Sequence, residues 1–408
     1  MGAGPTHRAS RSRHLRTQER HTRVLTFCHD SFGLGHLRRT TTLARAIVAR
    51  DPASSVVCVT GSPRPDLFDV PFGIDLVRLP GITKAEGGAY VPRALAMPTA
   101  DVVSLRAGLI SAVAREFRPD VIVVDHSAIG VGGELLPMLE EQRRLGNALL
   151  VLGMRDIVDE PLRARKELAR EHTRFAMESL YHRIFVYGHP HVCDVALEYG
   201  LGAEITRKVR YVGVACETHA DASDTPHAGP LVTVGGGEDG HPVLEAVCDW
   251  MAARPEVARG ATVVTGPMME GAHRSDVVRR ARDAGVRVLE SSSDFGRLLA
   301  SASLVIGMGG YNTVYESLAL RKRLVIVPRV HPRREQWERA RRLAGLELVD
   351  VVEPTALTCP GQLDRVIARA SGRTPVDPAD VGLRFDGARV AAETLLREAT
   401  GHALPLAS

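Results

Sequence analysis

Residues 304–316 read LVIGMGGYNTVYE. Leu304–Ile306 is an apolar run of strand length, Gly307–Gly310 is a glycine turn, and a run with helical spacing opens at Asn312 and Thr313. A strand that passes through a glycine turn straight into a helix is the repeating unit of parallel α/β structure. Outward from this stretch the pattern repeats. Strand-like runs follow one another at Val24–His29, Val56–Thr60, Ile74–Leu79, Val121–Asp125, Leu149–Leu152, Ile184–Tyr187 and Val209–Val214. A second series runs through Leu231–Val234, Val263–Thr265, Val286–Leu289, Leu304–Ile306, Leu324–Val327 and Val349–Val352. Helical stretches lie between most of them, among them Leu37–Val48, Asp101–Phe117, Glu134–Leu145 and a long polar one at Leu162–Tyr181. Pro80–Pro98 reads as a Gly/Pro-rich loop, and Val390–Glu398 as a terminal helix.

The chain therefore reads as α/β, two Rossmann-like parallel-sheet domains facing across a cleft. A basic disordered tail is expected at 1–22, the first domain at 23–215, a polar linker at 216–229, the second domain at 230–385, and a terminal helix and tail at 386–408. With 408 residues, 44% hydrophobic and 25% charged, the composition supports two cores and excludes disorder over most of the length.

Net charge is +4, but six arginines against Glu19 alone in residues 1–23 leave the remaining chain near neutral. The body thus has no basic footprint for nucleic acid, and 4% aromatics are too few for a base-stacking platform. The tail reads either as a solvated segment or as an electrostatic tether to anionic lipid, a peripheral contact at the inner face of the membrane. No apolar run reaches the ~20 residues of a membrane span. The six cysteines show neither zinc spacing nor a disulfide framework, so the cytoplasm is the expected compartment.

Ligands of parallel sheets bind beyond the carboxyl ends of strands, and four such ends carry chemistry. The first strand runs into HDSFGLGHLRR, residues 29–39, with Gly33 and Gly35 in the turn and His36 at the helix start, where an imidazole can act as a base near neutral pH. The same His also fits a capping or packing role. Asp125, His126 and Ser127 end a buried strand of the same domain; Asp125 could orient a histidine or cap a helix. Gly235, Gly236 and Gly237 follow the first strand of the second series and can cradle phosphate or simply make a tight turn. Gly309, Gly310, Asn312 and Thr313 make a helix start suited to a diphosphate, and Glu316 lies one turn on, placed to accept two hydrogen bonds from vicinal hydroxyls. The next strand ends in residues 328–336, PRVHPRREQ.

No Lys-Ser/Thr follows the triple glycine, which excludes a Walker-type triphosphatase. No D-x-D, H-E-x-x-H or His/Cys cluster is present, so no metal is expected. Asp239, His241 and Glu245 read as helix-start composition. G-x-S-x-G is absent as well.

With these residues the chain resembles the GT-B glycosyltransferases, specifically those like the bacterial lipid-linked peptidoglycan N-acetylglucosaminyltransferase. The resemblance runs from about Val24 to Leu396 and is strongest in residues 309–344, GGYNTVYESLALRKRLVIVPRVHPRREQWERARRLA. It implies a metal-independent inverting transfer from a nucleoside-diphosphate sugar, UDP- or TDP-linked by expectation, to an acceptor hydroxyl. The second domain would bind the donor and the first would bind the acceptor: a glycan, a lipid or a small metabolite. No cofactor beyond the nucleotide-sugar co-substrate is implied. Glu316 would hold the ribose; Glu335 and Gln336 would read the sugar. Gly309, Gly310, Asn312, Thr313 and the Gly235–Gly237 turn would hold the diphosphate. Ser293 and Phe295 would flank the base. His36 would be the catalytic base, oriented by Asp125 or Asp30, with Gly33, Gly35 and His126 on the acceptor side.

Two departures stand out: Ile82–Pro98 matches no family pattern, and a carboxylate stands at Glu335 where some relatives carry an amide. GHLRR also resembles nucleotide-sugar hydrolases, in which water is the acceptor. An epimerase and a non-catalytic nucleotide-sugar-binding protein are the further alternatives.

Overall fold

In a computed structural model, residues 21–29, 34–85, 89–217 and 229–402 are described. Residues 1–20 of the expected tail, Asp30 and Gly33, and most of the expected linker therefore lie outside the described residues. The first sheet contains β1 (Arg23–Cys28), β2 (Ser55–Thr60), β3 (Ile74–Arg78), β6 (Val121–Asp125), β7 (Leu149–Arg155), β8 (Arg183–Tyr187) and β9 (Val209–Tyr211). The second contains β10 (Leu231–Thr233), β11 (Thr262–Val264), β12 (Arg287–Leu289), β13 (Val305–Gly307), β14 (Leu324–Ile326) and β15 (Asp350–Val351). Both are wholly parallel, in the orders β3-β2-β1-β6-β7-β8-β9 and β12-β11-β10-β13-β14-β15. Parallel strands covered by helices on both faces are apolar throughout, which is why Val121–Val124 and Leu149–Leu152 read as unbroken hydrophobic runs.

Each sheet reverses its winding once. In the first the chain steps outward from β1 to β3 and returns to lay β6 on the other side of β1, with Phe27 paired to Val124. In the second β13 returns beside β10, pairing Gly307 with Thr233. Such switch points leave a crevice beyond the strand ends. One lies between His29 and Asp125, the other between the Gly235–Gly237 turn and the Gly307–Gly310 turn.

Three local expectations need correction. The loop at 80–98 contains an antiparallel hairpin, β4 (Ile82–Lys84) with β5 (Tyr90–Pro92). The single helix expected at Leu162–Tyr181 is broken into Pro161–Leu168 and Glu171–Phe175, followed by a π-helical turn at Ala176–Leu180 that buries Ala176, Met177 and Leu180. The terminal helix is longer than expected, Gly387–His402, and packs back on the first domain's Gly35–Arg50 helix. The chain returns there through a β-bridge between Ala215 and Asp386, so both crossings between the domains lie side by side. No described helix is long and apolar enough to cross a membrane.

The second domain has its own core around Val232, Leu244, Val263 and Ile306, and the first domain's core extends into it as well. Tyr311, Val314, Tyr315 and Leu318 of the Tyr311–Ala319 helix belong to the same apolar cluster as β1 and β6–β8. At its centre is a charge pair. Arg339 donates to both carboxylate oxygens of Asp156 (2.9 and 2.8 Å), and the Tyr315 hydroxyl donates to the same group (2.5 Å), all three side chains being inaccessible to solvent. Burial pushes the Asp156 carboxyl up, but Arg339 and Tyr315 hold it below the ordinary range.

Candidate active site

The domains enclose a cleft of about 1560 Å³ lined by both switch points. On the first-domain wall the Gly35–Arg50 helix starts directly behind the strand ends and buries His36 and Arg39 on its inner face, three residues apart and therefore on one side. His36 Nδ1 lies 2.6 Å from Asp125 Oδ2, and Arg39 grips the same carboxylate with Nε on Oδ1 (2.8 Å) and a terminal nitrogen on Oδ2 (2.5 Å). A carboxylate accepts only, so Nδ1 carries the proton and Nε2 is left as the basic nitrogen. Burial, reinforced by the positive charge of Arg155, holds the His36 imidazole well below its ordinary pKa. It is therefore neutral and able to accept a proton at pH 7. The Asp125 side chain thus bonds to His36 and Arg39 and caps no helix; Ser127 bonds instead to Gly130 O within its own turn.

His126 follows in a left-handed conformation (φ 68°), fixed by its N–H donating to Gly153 O (2.6 Å). That turn aims its ring at His36, at a centroid distance of 5.1 Å, with His29 closing the group at 4.8 Å from His36. Gly35 sits where the domains meet: its carbonyl accepts from Asn312 Nδ2 at 3.3 Å.

Across the cleft, the Tyr311–Ala319 helix begins at Gly310 with no side-chain cap. Its first N–H groups and the positive end of its dipole face the cleft beside the Gly235–Gly237 turn, which is the composition of an anion site. Two glycines here are obligatory on steric grounds. A Cβ on Gly237, at φ +98°, would lie 2.3 Å from Thr265 O, and one on Gly309 would lie 2.8 Å from Gln336 O. Gly236, Ser293, Phe295 and Thr313 line the same face.

Glu316 is buried, with Oε2 accepting from Arg38 (2.8 Å) and Oε1 free of any protein partner. An unsatisfied buried carboxylate oxygen is costly; Glu316 itself lies behind the cleft wall, with Arg38, Asn312 and Thr313 lining the cavity in front of it. Burial raises the Glu316 pKa to about 7, against the pull of Arg38 and with Glu217 adding to the rise. Because the folded state holds this proton more tightly, stability is greatest below the free-glutamate range and falls as pH rises from about 4.5 to about 7. Replacing Glu316 by Gln should therefore raise unfolding stability at pH 8 by about 3 kcal/mol and flatten that part of the pH profile, as read by urea denaturation at pH 5 and pH 8.

Glu335 and Gln336 open the next helix, Glu335–Gly345. Gln336 is held by accepting from the Arg329 N–H (3.0 Å), and Glu335 pairs with Arg329, leaving its Oε2 without a partner. Burial pushes the Glu335 carboxyl up, but Arg329, Arg155 and Arg339 together keep it below the ordinary range. Asp239, His241 and Glu245 are dispersed among separate partners: Arg329, Asp276 and Arg280. Among the described residues no three His, Cys, Asp or Glu are grouped to hold a metal ion.

Sequence reasoning missed Arg38 and Arg39, although GHLRR displays both and the three-residue spacing of Arg39 from His36 signals a shared face. It also missed His29 and Arg155, each at or just beyond the end of a strand.

Residues 260–372 match the glycosyltransferase family 28 C-terminal domain. No curated protein matches the sequence. Among solved structures, the glycotransferase of kitacinnamycin superposes with a TM-score of 0.61 at 16% identity, over 95% of this chain and 100% of that one. A UDP-glucosyltransferase from Polygonum tinctorium capable of glucosylating indoxyl gives 0.60 at 14%, over 95% and 100%. Acinetobacter baumannii MurG gives 0.56 at 13%, over 92% and 99%. The architecture is the GT-B fold, and the second half carries a glycosyltransferase domain. The chain as a whole is similar in fold to MurG, and the glycosyltransferase family 28 match lies in its second domain.

Proposed function

We propose that the protein transfers a sugar, with inversion and without a metal ion, from a nucleoside-diphosphate sugar to an acceptor hydroxyl. The observation that carries this reading is the opposition of two prepared groups across one cleft. The neutral His36, held by Asp125, faces the uncapped Tyr311–Ala319 helix start with the open oxygen of Glu316 behind it. Glu316 would take the ribose hydroxyls. The helix start and the Gly235–Gly237 and Gly309–Gly310 backbone would hold the diphosphate, stabilising the charge that develops as it leaves. Glu335 and Gln336 would orient the sugar, Ser293 and Phe295 would border the base, and uridine or thymidine is the proposed nucleoside.

In the reaction the acceptor oxygen attacks the anomeric carbon from the face opposite the phosphate. Its proton passes to His36 Nε2, the bond from the anomeric carbon to the diphosphate oxygen breaks, and the nucleoside diphosphate departs with that electron pair. Incubating the enzyme with UDP- and TDP-sugars and a mixed acceptor set in the presence of EDTA tests this. Release of nucleoside diphosphate should depend on acceptor, and proton NMR of the product should show the inverted anomer. Release at the same rate without acceptor would make the enzyme a hydrolase, and a retained anomer would exclude His36 as the base for direct displacement.

A further inference from the structure

Most of the cations deep in the cleft are matched by carboxylates among the described residues. Arg39 is matched by Asp125, Arg339 by Asp156, Arg38 by Glu316, Arg329 by Asp239 and Glu335, and Arg333 by Asp159 and Glu167. Arg155, the last residue of β7, has no carboxylate of the described residues within ion-pair distance. Its one polar contact is a terminal nitrogen 3.3 Å from His126 Nε2, and its Nε is buried without a partner. Burial, with Arg39 nearby, pulls its pKa down to about 10, so it stays charged at neutral pH. Lys84, on the β4–β5 hairpin, likewise has no ion pair among the described residues and rests over the Tyr90 ring at 5.3 Å. Both line the cleft.

Both side chains are half-buried in the cleft wall, and cations without a counter-charge there are completed by a ligand anion. We propose that Arg155, with Lys84 beside it, binds a carboxylate or phosphate carried by the acceptor close to its reacting hydroxyl. This rests on the transferase reading above. The acceptor is assigned because both cations belong to the first-domain wall. Arg155 shares that wall with His36 and His126, while the donor diphosphate has its own helix start and glycine turns in the second domain. Arg155 lines the cleft together with Glu335 and Gln336, which on the transferase reading border the donor sugar. Glu335 is already neutralised by Arg329 and leaves the Arg155 charge for the substrate.

The test uses inorganic phosphate and acetate as probes on the full chain, followed by NMR of the histidine ring protons, alongside calorimetric titration with UDP, TDP, GDP and ADP. In wild type both anions, added with and without nucleoside diphosphate, should move the His126 signals saturably. In Arg155→Gln the apparent affinity for them should fall roughly tenfold or more, and less in Lys84→Gln, while affinity for the nucleoside diphosphate stays within about twofold of wild type. A tenfold loss of nucleoside diphosphate affinity in Arg155→Gln would overturn the proposal by giving the guanidinium to the donor. An anion response absent from wild type, or equal in wild type and variant, would overturn it as well. If no nucleoside diphosphate binds wild type while the His126 response persists, the transferase reading fails and the anion site stands apart from it.

Discussion

His36→Ala should lower kcat by about 10²–10⁴-fold, the usual contribution of a positioned general base, while affinity for the nucleoside diphosphate stays within about twofold of wild type. The separation follows from geometry. His36 touches Asp125 in the first domain, whereas the proposed diphosphate site lies in the second. Asp125 remains satisfied by the Arg39 fork in the variant, so no unpaired buried carboxylate is created and the fold should survive. Since only neutral imidazole accepts the proton, and burial with Arg155 keeps its pKa low, the His36-dependent rate should stay flat from pH 8 to below 6.5 in wild type. Steady-state kinetics across that range, with calorimetric titration of the diphosphate, check both halves. A variant that retains half the wild-type rate would remove His36 from the mechanism.

The second large effect is on stability. Asp156 comes from the first domain and Arg339 from the second, and neither has access to solvent. Asp156→Ala leaves a buried guanidinium whose remaining bond is to Gly309 O, and should destabilise the protein by about 3–5 kcal/mol. Arg339→Ala should do the same through the stranded carboxylate. The pair Asp156→Leu with Arg339→Met should recover much of the loss, because replacing both charges by apolar groups removes the uncompensated burial. Urea denaturation of the three variants reads this directly. Gly309 leads into the helix start proposed to hold the diphosphate, so the single variants should also weaken nucleoside diphosphate binding.

Much of this arrangement was legible because it is written locally. A glycine turn between an apolar strand and a helix announces itself within ten residues, and the candidate side chains His36, Asp125 and Glu316 stand within a few positions of such strand ends. The two switch points then bring these ends together without further information from side chains. What was not legible depends on partners distant in the chain. The ion pair of Arg38 with Glu316 spans 278 positions, and that of Arg339 with Asp156 spans 183. Nothing near Arg155 in sequence distinguishes an unpaired arginine from a paired one. The β4–β5 hairpin has three-residue strands set among glycines and prolines, too short for alternation to show. The break at residues 168–171 contains no helix breaker. It separates a segment whose Glu167 reaches Arg333 of the second domain from one whose π-helical turn faces the first core, a tertiary demand that local propensity does not record.

The claim on which the rest depends is that the second-domain switch point binds a nucleoside diphosphate through Glu316. The most direct measurement is the thermal melting of wild type and Glu316→Ala with UDP, TDP, GDP, ADP and CMP at saturating concentration. A ligand at 100 times its dissociation constant adds about 2.7 kcal/mol, roughly 5–10 °C for a domain of this size. One nucleoside diphosphate should stabilise wild type by that amount and leave Glu316→Ala unmoved. Melting of wild type that no nucleotide shifts, or a shift of equal size in the variant, would contradict the account.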